Sequence, residues 1–494
     1  MDSPILSATQ MREAEQAAFA RGVEVEELMD QAGAGVARAV VRFFPNPGTC
    51  IVFAGKGNNG GDALVAAEHL KRDGWNIDIK LALAESDGSE LMRKKLQALR
   101  KAPELFHGPH LEPSPTIVLD GLLGLGANRL LREPIRACAI EINRLRREQD
   151  AFIFAIDLPT GLDSDSGEAD PDCVMADCTV TIGFAKHGLI EDAALDLVGR
   201  LEIVPLPGLA PPENARNEVV ATAESLRALL PRRKYGAYKN QFHRIGVVAG
   251  SKGFVGAALM TTTGALRSGA GLVEVFVPEE IYSIVAAAAP QEAMVKPIRS
   301  YRALLDDKHV EIWALGPGLG QSNSGDLLKL IERDERPMIV DADGLNILAD
   351  NINVLKQCRG RRLLTPHPGE MKRLLDPGRM SRAGTARNFC DQFNVTLLYK
   401  GSRTIVTERD HPLSYNTTGN PGMASGGMGD VLTGVCAGLV GQNLTLYDAA
   451  RVGAWACGRA AELAVFSGQS SEQSLLATDV LNHLGRAFND LQKP

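Results

Sequence analysis

Apolar residues along this chain fall into short continuous runs, separated by stretches in which they recur at helical spacing. CIVFAG (50–55), TIVLDGLLG (116–124), AFIFAIDLP (151–159), CTVTIGF (178–184) and LEIVPLP (201–207) read as strands, and Ile77, Ile79, Leu81 and Leu83 alternate through 76–83. Between them, Ala63, Ala66, Ala67 and Leu70 predict a helix over 62–73, with further helices at about 89–101 and 134–148. A single long helix is predicted over 5–41. Apolar strands alternating with helices imply a parallel sheet covered on both faces.

Residues 205–216 (PLPGLAPPENAR) hold four prolines, a density that predicts a linker. The strand pattern then restarts at 244–250, 272–278, 311–316, 337–343, 361–367 and 395–401, with a helix around 256–268. The C-terminal stretch reads as Ala-rich helix at 431–440, 446–466 and 477–491. Two α/β domains joined near 205–222 are expected.

Composition supports that picture and removes several function classes. Hydrophobic residues are 45% and charged residues 23% of 494, as in a globular chain. A net charge of −7 argues against holding nucleic acid by bulk electrostatics. No apolar run approaches the length of a membrane-spanning helix, and the acidic N-terminus resembles neither a signal nor a transit peptide. A cytoplasmic protein without membrane contact is expected. The eight cysteines form no CxxC pair, which predicts reduced thiols and no zinc.

The first Gly-rich run, GKGNNGGD (55–62), satisfies G-x-G-x-x-G after a strand and so suggests a dinucleotide site. Asp62 opposes that reading, because a carboxylate at the helix start would occupy the place of a pyrophosphate. As a cap alone, Asp62 would be ordinary; two asparagines and four glycines beside it are not. Strand ends deliver Asp120, Asp157 and Thr160 to the same side of the sheet. Asn59, Asp120 and Thr160 offer only oxygen, which suits a hard cation. The amides of 124–130, with Arg129, could hold a phosphate.

GKGNNGGD, VLDGLLGLGANR and DLPTGLDSDSG resemble the signatures of NAD(P)H-hydrate epimerase, and the opening MREAEQAAFARGVEVEELMDQAGAGVA is similar to that family's N-terminus. The resemblance implies a Rossmann-like three-layer domain over 1–215 that holds K+ through Asn59, Asp120 and Thr160. It implies that hydrated NADH or NADPH meets Asn58, Asn59, Gly60, Gly61 and Asp62, then Gly124, Leu125, Gly126, Ala127, Asn128, Arg129 and Leu130, and Asp157. Asp157 is the acid/base candidate, being the ionisable group placed on the ligand. Many relatives carry Ser where Thr160 stands; the hydroxyl is kept.

The second run, NTTGNPGMASGGMGDVLTG (416–434), sets Asp430 at the start of an apolar helix. Amides of 426–429 would form an anion hole there, and the carboxylate beside it can take a proton from a hydroxyl that receives phosphate. There is no P-loop. Gly-Met-Gly-Asp resembles the signature of ribokinase-like kinases. With 239–258, ALGPGLG, DADGLN, TPHPGEMKRL and KGSRTIV, the chain over 222–494 is similar to NAD(P)H-hydrate dehydratase of that fold. KNQFHR departs from the family's usual Lys-Gly-Asp/Ser-Phe-Gly. The resemblance implies that Lys400, Gly401, Ser402, Arg403, Thr404 and Gly429 bind ADP (ATP being the alternative) with Mg2+. Ala257, Gly320, His367 and Asp430 would meet the hydrate, with Asp430 as the base for phosphorylation before phosphate elimination.

Together the two halves imply a bifunctional repair of hydrated NAD(P)H in a homo-oligomer. The alternative is a ribokinase-like small-molecule kinase with an N-terminal nucleotide-binding or scaffold domain.

Overall fold

Gly22 breaks the predicted first helix. Its φ of +88° is open to glycine, and the chain divides there into helices Ala8–Ala20 and Val25–Phe43. Ahead of them, Ser3–Leu6 is a strand, and Ser7 caps the first helix in a capping box with Gln10. The computed structural model describes residues 2–103, 114–126 and 130–493, which divide into two compact units, Ser3–Arg216 and Asp2 together with 217–493.

The first unit is a Rossmann-like α/β sandwich. Its parallel sheet has the order Asn76–Leu81, Thr49–Ala54, Thr116–Gly121, Phe152–Ile156, Cys178–Ile182, Arg200–Val204. Alternating side chains feed two cores. Val52, Leu119, Phe154 and Ile156 pack with helices Val25–Phe43 and Asn58–Arg72. Phe53, Val118, Ile153 and Ala155 pack with Ala139, Ile142 and Leu145 of helix Ile135–Gln149. Both faces are therefore covered, the reason the strands are apolar throughout. A two-residue strand, Ala185–Lys186, pairs parallel with Ser3–Leu6 and sets Lys186 opposite Leu6. The Pro-rich 205–216 is not a free tether, because Leu206, Leu209 and Ala215 are buried in the first core.

The helix expected over 62–73 begins four residues earlier, at Asn58, with Gly57 as its cap. Asn-Asn-Gly-Gly is poor helix-forming sequence, so packing decides. A Cβ on Gly60 would lie 2.1 Å from Gly55 O, and only glycine allows the helix to start that close to the strand's exit.

In the second unit seven parallel strands run in the order Ala293–Ile298, Leu272–Pro278, Arg244–Val248, Ile312–Leu315, Met338–Val340, Arg362–Leu364, Thr396–Tyr399. Antiparallel Thr404–Thr407 and Leu413–Asn416 extend the sheet, and Glu218–Val220 joins Leu413–Asn416. Helices Val255–Arg267 and Met428–Gly441 cross in near backbone contact, since a Cβ on Gly434 would meet Thr261 O at 2.0 Å. That crossing locates the first turn of the helix that carries Asp430. All eight cysteines are unpaired; Cys138 and Cys358 are half-buried and the others buried. No described helix is long and apolar enough to cross a membrane.

Candidate active sites

In the first unit, strand order reverses between Thr49–Ala54 and Thr116–Gly121, the switch point where such sheets open a crevice beyond their carboxyl ends. Asn58, exposed, and Asn59, buried, open the helix after the first strand; Asp120 lies at the end of the second. Asn59 Nδ2 donates to Leu123 O at 3.0 Å, which leaves Oδ1 buried without a hydrogen-bond partner. Asp120 accepts the Thr160 N–H at 2.9 Å, the Thr160 hydroxyl at 2.7 Å and the Leu122 N–H at 3.3 Å. Thr160 Oγ1 in turn accepts the Leu123 N–H at 3.2 Å. Asn59, Asp120 and Thr160 thus converge on the backbone of 122–123. Burial pushes the Asp120 carboxyl up to about 6, against the hydrogen bonds from Thr160 and Leu122. An orphaned carbonyl oxygen beside a hydroxyl and a buried carboxylate that has no ion pair among the described residues is an oxygen set that fits a hard cation.

Asp157 follows strand Phe152–Ile156 at φ +67°, a conformation uncommon outside glycine. Its Oδ2 and Asn59 Cγ each stand 3.3 Å from where a Cβ on Gly124 would lie, so these three residues face one another. Of the remaining loop, Leu125 packs on the first core, Gly126 is exposed and Leu130 stands in solvent, while Ala127, Asn128 and Arg129 lie outside the described residues.

Asp62 is not the helix cap that its sequence position suggested. It occupies the second turn, half-buried, beside Gly61. Burial first, then the charges of Asp157 and Glu15, push its carboxyl well above the usual range, with Lys186 opposing. Glu15 and Lys186 stand here without having been expected, and Arg12 Nη2 comes within 3.8 Å of where a Cβ on Gly126 would lie.

The second unit reverses strand order between Arg244–Val248 and Ile312–Leu315. Beyond those ends, Ser251 Oγ donates to Gly318 O at 2.8 Å, and Ala257 Cβ lies 2.9 Å from where a Cβ on Gly318 would stand. Gly320 N–H donates to Asp343 at 2.8 Å. The next strand, Met338–Val340, is followed by Asp341, buried and bound to Lys400 Nζ at 2.7 Å and the Thr433 hydroxyl at 2.8 Å. Burial alone would raise Asp341, but Lys400 and these hydrogen bonds hold it below the usual value. Lys400 also lies 3.7 Å from Glu370, and these carboxylates keep its own ammonium above its usual range despite burial. Glu370 accepts the His367 N–H at 2.8 Å; His367 Nδ1 accepts the N–H groups of Gly369 and Glu370, so its ring proton sits on Nε2. Helix Met428–Gly441 starts after Gly427, which adopts φ +88°. Its free amides therefore begin at Met428, two residues later than the sequence suggested. A Cβ on Gly429 would lie 3.2 Å from Lys400 Nζ and 3.3 Å from Asp341 Oδ2, and Asp430 follows in that first turn. Burial, then Asp341, pushes the Asp430 carboxyl up to about 6, with Lys400 opposing.

Gly401 and Ser402 are exposed, while Arg403 and Thr404 are buried. Arg382 threads this turn, donating to the carbonyls of Tyr399, Lys400 and Arg403 at 3.2–3.4 Å. Asp341, Glu370, Thr433 and Arg382 were not singled out from sequence. DADGLN ends a strand on Asp341, the same signal that exposed Asp120 and Asp157.

A family model described as "YjeF-related protein N-terminus" matches residues 25–188, and one described as "NAD(P)H-hydrate dehydratase" matches 245–484. A bifunctional NAD(P)H-hydrate repair enzyme of Moorella thermoacetica is 34% identical over 94% of this chain and 93% of its own length. The protein of the same description from Escherichia coli is also 34% identical, over 96% and 92%. A solved ADP/ATP-dependent NAD(P)H-hydrate dehydratase of Bacillus subtilis, co-crystallised with ATP and Mg2+, is 28% identical over 56% of this chain and 99% of its own, with a TM-score of 0.49.

Proposed function

The chain belongs to the family of bifunctional NAD(P)H-hydrate repair enzymes, and from that membership we propose a division of labour between its units. Residues 1–215 interconvert the R and S hydrates of NADH or NADPH. Residues 222–494 dehydrate the S form with ADP. The fusion is chemically economical, since a stereospecific dehydratase alone would strand one epimer. A cytoplasmic site of action and a homo-oligomeric state belong to the same proposal.

The observation that carries this reading is Asp430, a half-buried carboxyl with a raised pKa in the first turn of a Gly-started helix. In the proposed reaction Asp430 takes the proton of the C6 hydroxyl as that oxygen receives the phosphoryl group. Hydroxide leaves poorly and phosphate leaves well, so the C6–O bond then breaks with its pair on phosphate, and loss of a C5 proton restores the ring. His367 Nε2–H, Ala257 and Gly320 line the hydrate's side; the turn 400–404 and Gly429 line the nucleotide's. Mg2+ would neutralise phosphate charge and travel with the nucleotide. The nearby carboxylates Asp341 and Glu370 are already engaged, and no cluster of three or more metal-holding side chains stands among the described residues.

In the first unit Asn59, Asp120 and Thr160 would hold K+, which supplies positive charge beside the phosphate-binding turn. K+ should raise the Tm of the first unit's unfolding relative to tetramethylammonium, and the effect should vanish in Asp120→Asn. Because the free Asp120 carboxyl sits near 6, the protection should fade as pH falls below about 6. Equal melting in both salts would remove the site.

The whole reading is tested with a mixed R/S hydrate of NADH, Mg2+, K+ and either ADP or ATP, following reduced-nicotinamide absorbance and free phosphate together. Complete recovery is expected with ADP. A fast phase that stalls would leave the dehydratase and remove the epimerase. A stable phosphorylated product without NADH would turn the reading to the small-molecule kinase.

A further inference from the structure

Lys186 is an ammonium with no exposure to water, and every proton on it is engaged. Nζ donates to Asp157 Oδ1, to Thr181 Oγ1 at 3.0 Å and to Ile182 O at 3.0 Å. A buried ammonium survives only when paired and hydrogen-bonded in this way, and one so engaged has nothing left for a ligand. Its effect falls on Asp157. The Ile182 N–H and the Thr181 hydroxyl also reach Asp157 Oδ1, at 3.3 and 3.4 Å, so that oxygen is saturated. Oδ2 remains, aimed at Gly124.

Two further carboxyls interact electrostatically with Asp157 and Lys186 from other elements. Glu15, on helix Ala8–Ala20, and Asp62, on helix Asn58–Arg72, are half-buried, and neither has a hydrogen bond or ion pair among the described residues. The helix bearing Glu15 is anchored to the loop after Asp157, because Ala8 N–H donates to Asp165 at 2.7 Å. Three carboxyls around one ammonium cannot all carry charge cheaply.

We propose that epimerisation in the first unit runs on Asp157 and Glu15 as an acid–base pair, with Lys186 as the positioning residue that holds Asp157 Oδ1 and turns Oδ2 toward the substrate. The proposal rests on the epimerase reading above. The C6 hydroxyl O–H bond breaks and its proton passes to Asp157 Oδ2. The electron pair forms the C6 carbonyl, the C6–N1 bond breaks with its pair on nitrogen, and N1 takes the proton of Glu15. Rotation about C5–C6 presents the other face of the aldehyde. The two proton transfers then reverse, which closes the ring with the opposite configuration and restores both carboxyls. No water, oxidant or reductant is consumed.

The charges around Glu15 suit this exchange. Burial, then Asp157, raises its carboxyl, while Lys186 and Arg12 temper the rise. Burial, then Asp157 and Glu15, push the Asp62 carboxyl well above its usual range, with Lys186 opposing.

The test uses the full chain, purified R hydrate and chromatographic separation of the epimers. Dehydration of the S hydrate by the second unit serves as the control for folding. Glu15→Gln should slow epimerisation about a hundredfold or more with S-hydrate dehydration unchanged. Lys186→Met should lower kcat rather than raise KM, because Asp157 Oδ1 loses the donor that keeps Oδ2 turned toward Gly124. Wild-type rates in Glu15→Gln would overturn the pair. A loss in Lys186→Met carried by KM with kcat kept would reduce Lys186 to a packing role. A wild-type chain no faster than spontaneous exchange would overturn the epimerase reading itself, a separate result.

Discussion

Asp430→Asn is expected to lose S-hydrate dehydration by a factor on the order of 10²–10⁴ while ADP binding persists. Asn fills the same space in the first turn of Met428–Gly441 but cannot take a proton. The wild-type rate should depend on pH in a defined direction. Burial and the neighbouring Asp341 raise the Asp430 carboxyl to about 6, and the base works only when ionised. Activity should therefore climb as pH rises through about 6 and level above it, and the residual activity of the variant should lack that limb. Linkage gives a second readout. A carboxyl whose folded pKa is raised contributes its stability below its unfolded value of 3.8, and that stability is lost as pH rises through about 6. Asn removes the cost, so the variant's Tm gain over the wild type should be larger at pH 8 than at pH 5 and vanish near the unfolded value of 3.8. Dehydration assays across pH, ADP titration and melting at two pH values decide it. Activity within a few-fold of wild type would remove Asp430 from the chemistry.

The site residues legible in the sequence are those at strand ends and in glycine runs. Asp120, Asp157 and Asn59 stand where apolar strands stop, a local signal, and the structure brings them together around Gly124 and 122–123. Their partners had no such signal. Lys186 sits in a strand of two residues, too short for any periodicity, and its pairing with Asp157 depends on the fold. Lys400 and Asp341 meet across 59 residues of chain. Charge pairing at that range is invisible to spacing. Secondary structure failed for related reasons. Gly22 interrupts a helical pattern that continues on both sides, because both helices bury an alanine face in the same core. The helix at Asn58 starts within residues of low propensity because Gly60 must approach Gly55 O, a tertiary contact that overrides the local preference. Glu218–Val220 and Thr404–Thr407 exist as strands through their neighbours in the sheet.

Lys400→Met should abolish dehydration and destabilise the second unit by about 3–5 kcal/mol, the usual cost of leaving one member of a buried ion pair alone. Asp341 is 2% exposed in its side chain and keeps only the Thr433 and Thr365 hydroxyls as close side-chain partners once the ammonium is gone. The Asp341 contribution to the pH dependence should change sign. In the wild type, burial raises the Asp341 carboxyl, but Lys400 and the hydrogen bonds outweigh it and leave the pKa lowered. A lowered carboxyl contributes stability above its unfolded value of 3.8 and loses it as pH falls through the folded value, so the wild type should weaken only below about pH 4. Without Lys400, burial dominates and favours the protonated acid, so the variant should gain more stability than the wild type as pH falls from 8 to 5. Asp430 shares the same cation, and any residual activity should show its acidic limb displaced above 6. Denaturant unfolding of the full chain, read on the transition that ADP moves upward, measures the first effect. If Lys400 instead spends its charge on the nucleotide, ADP affinity will fall while that transition stays where it was.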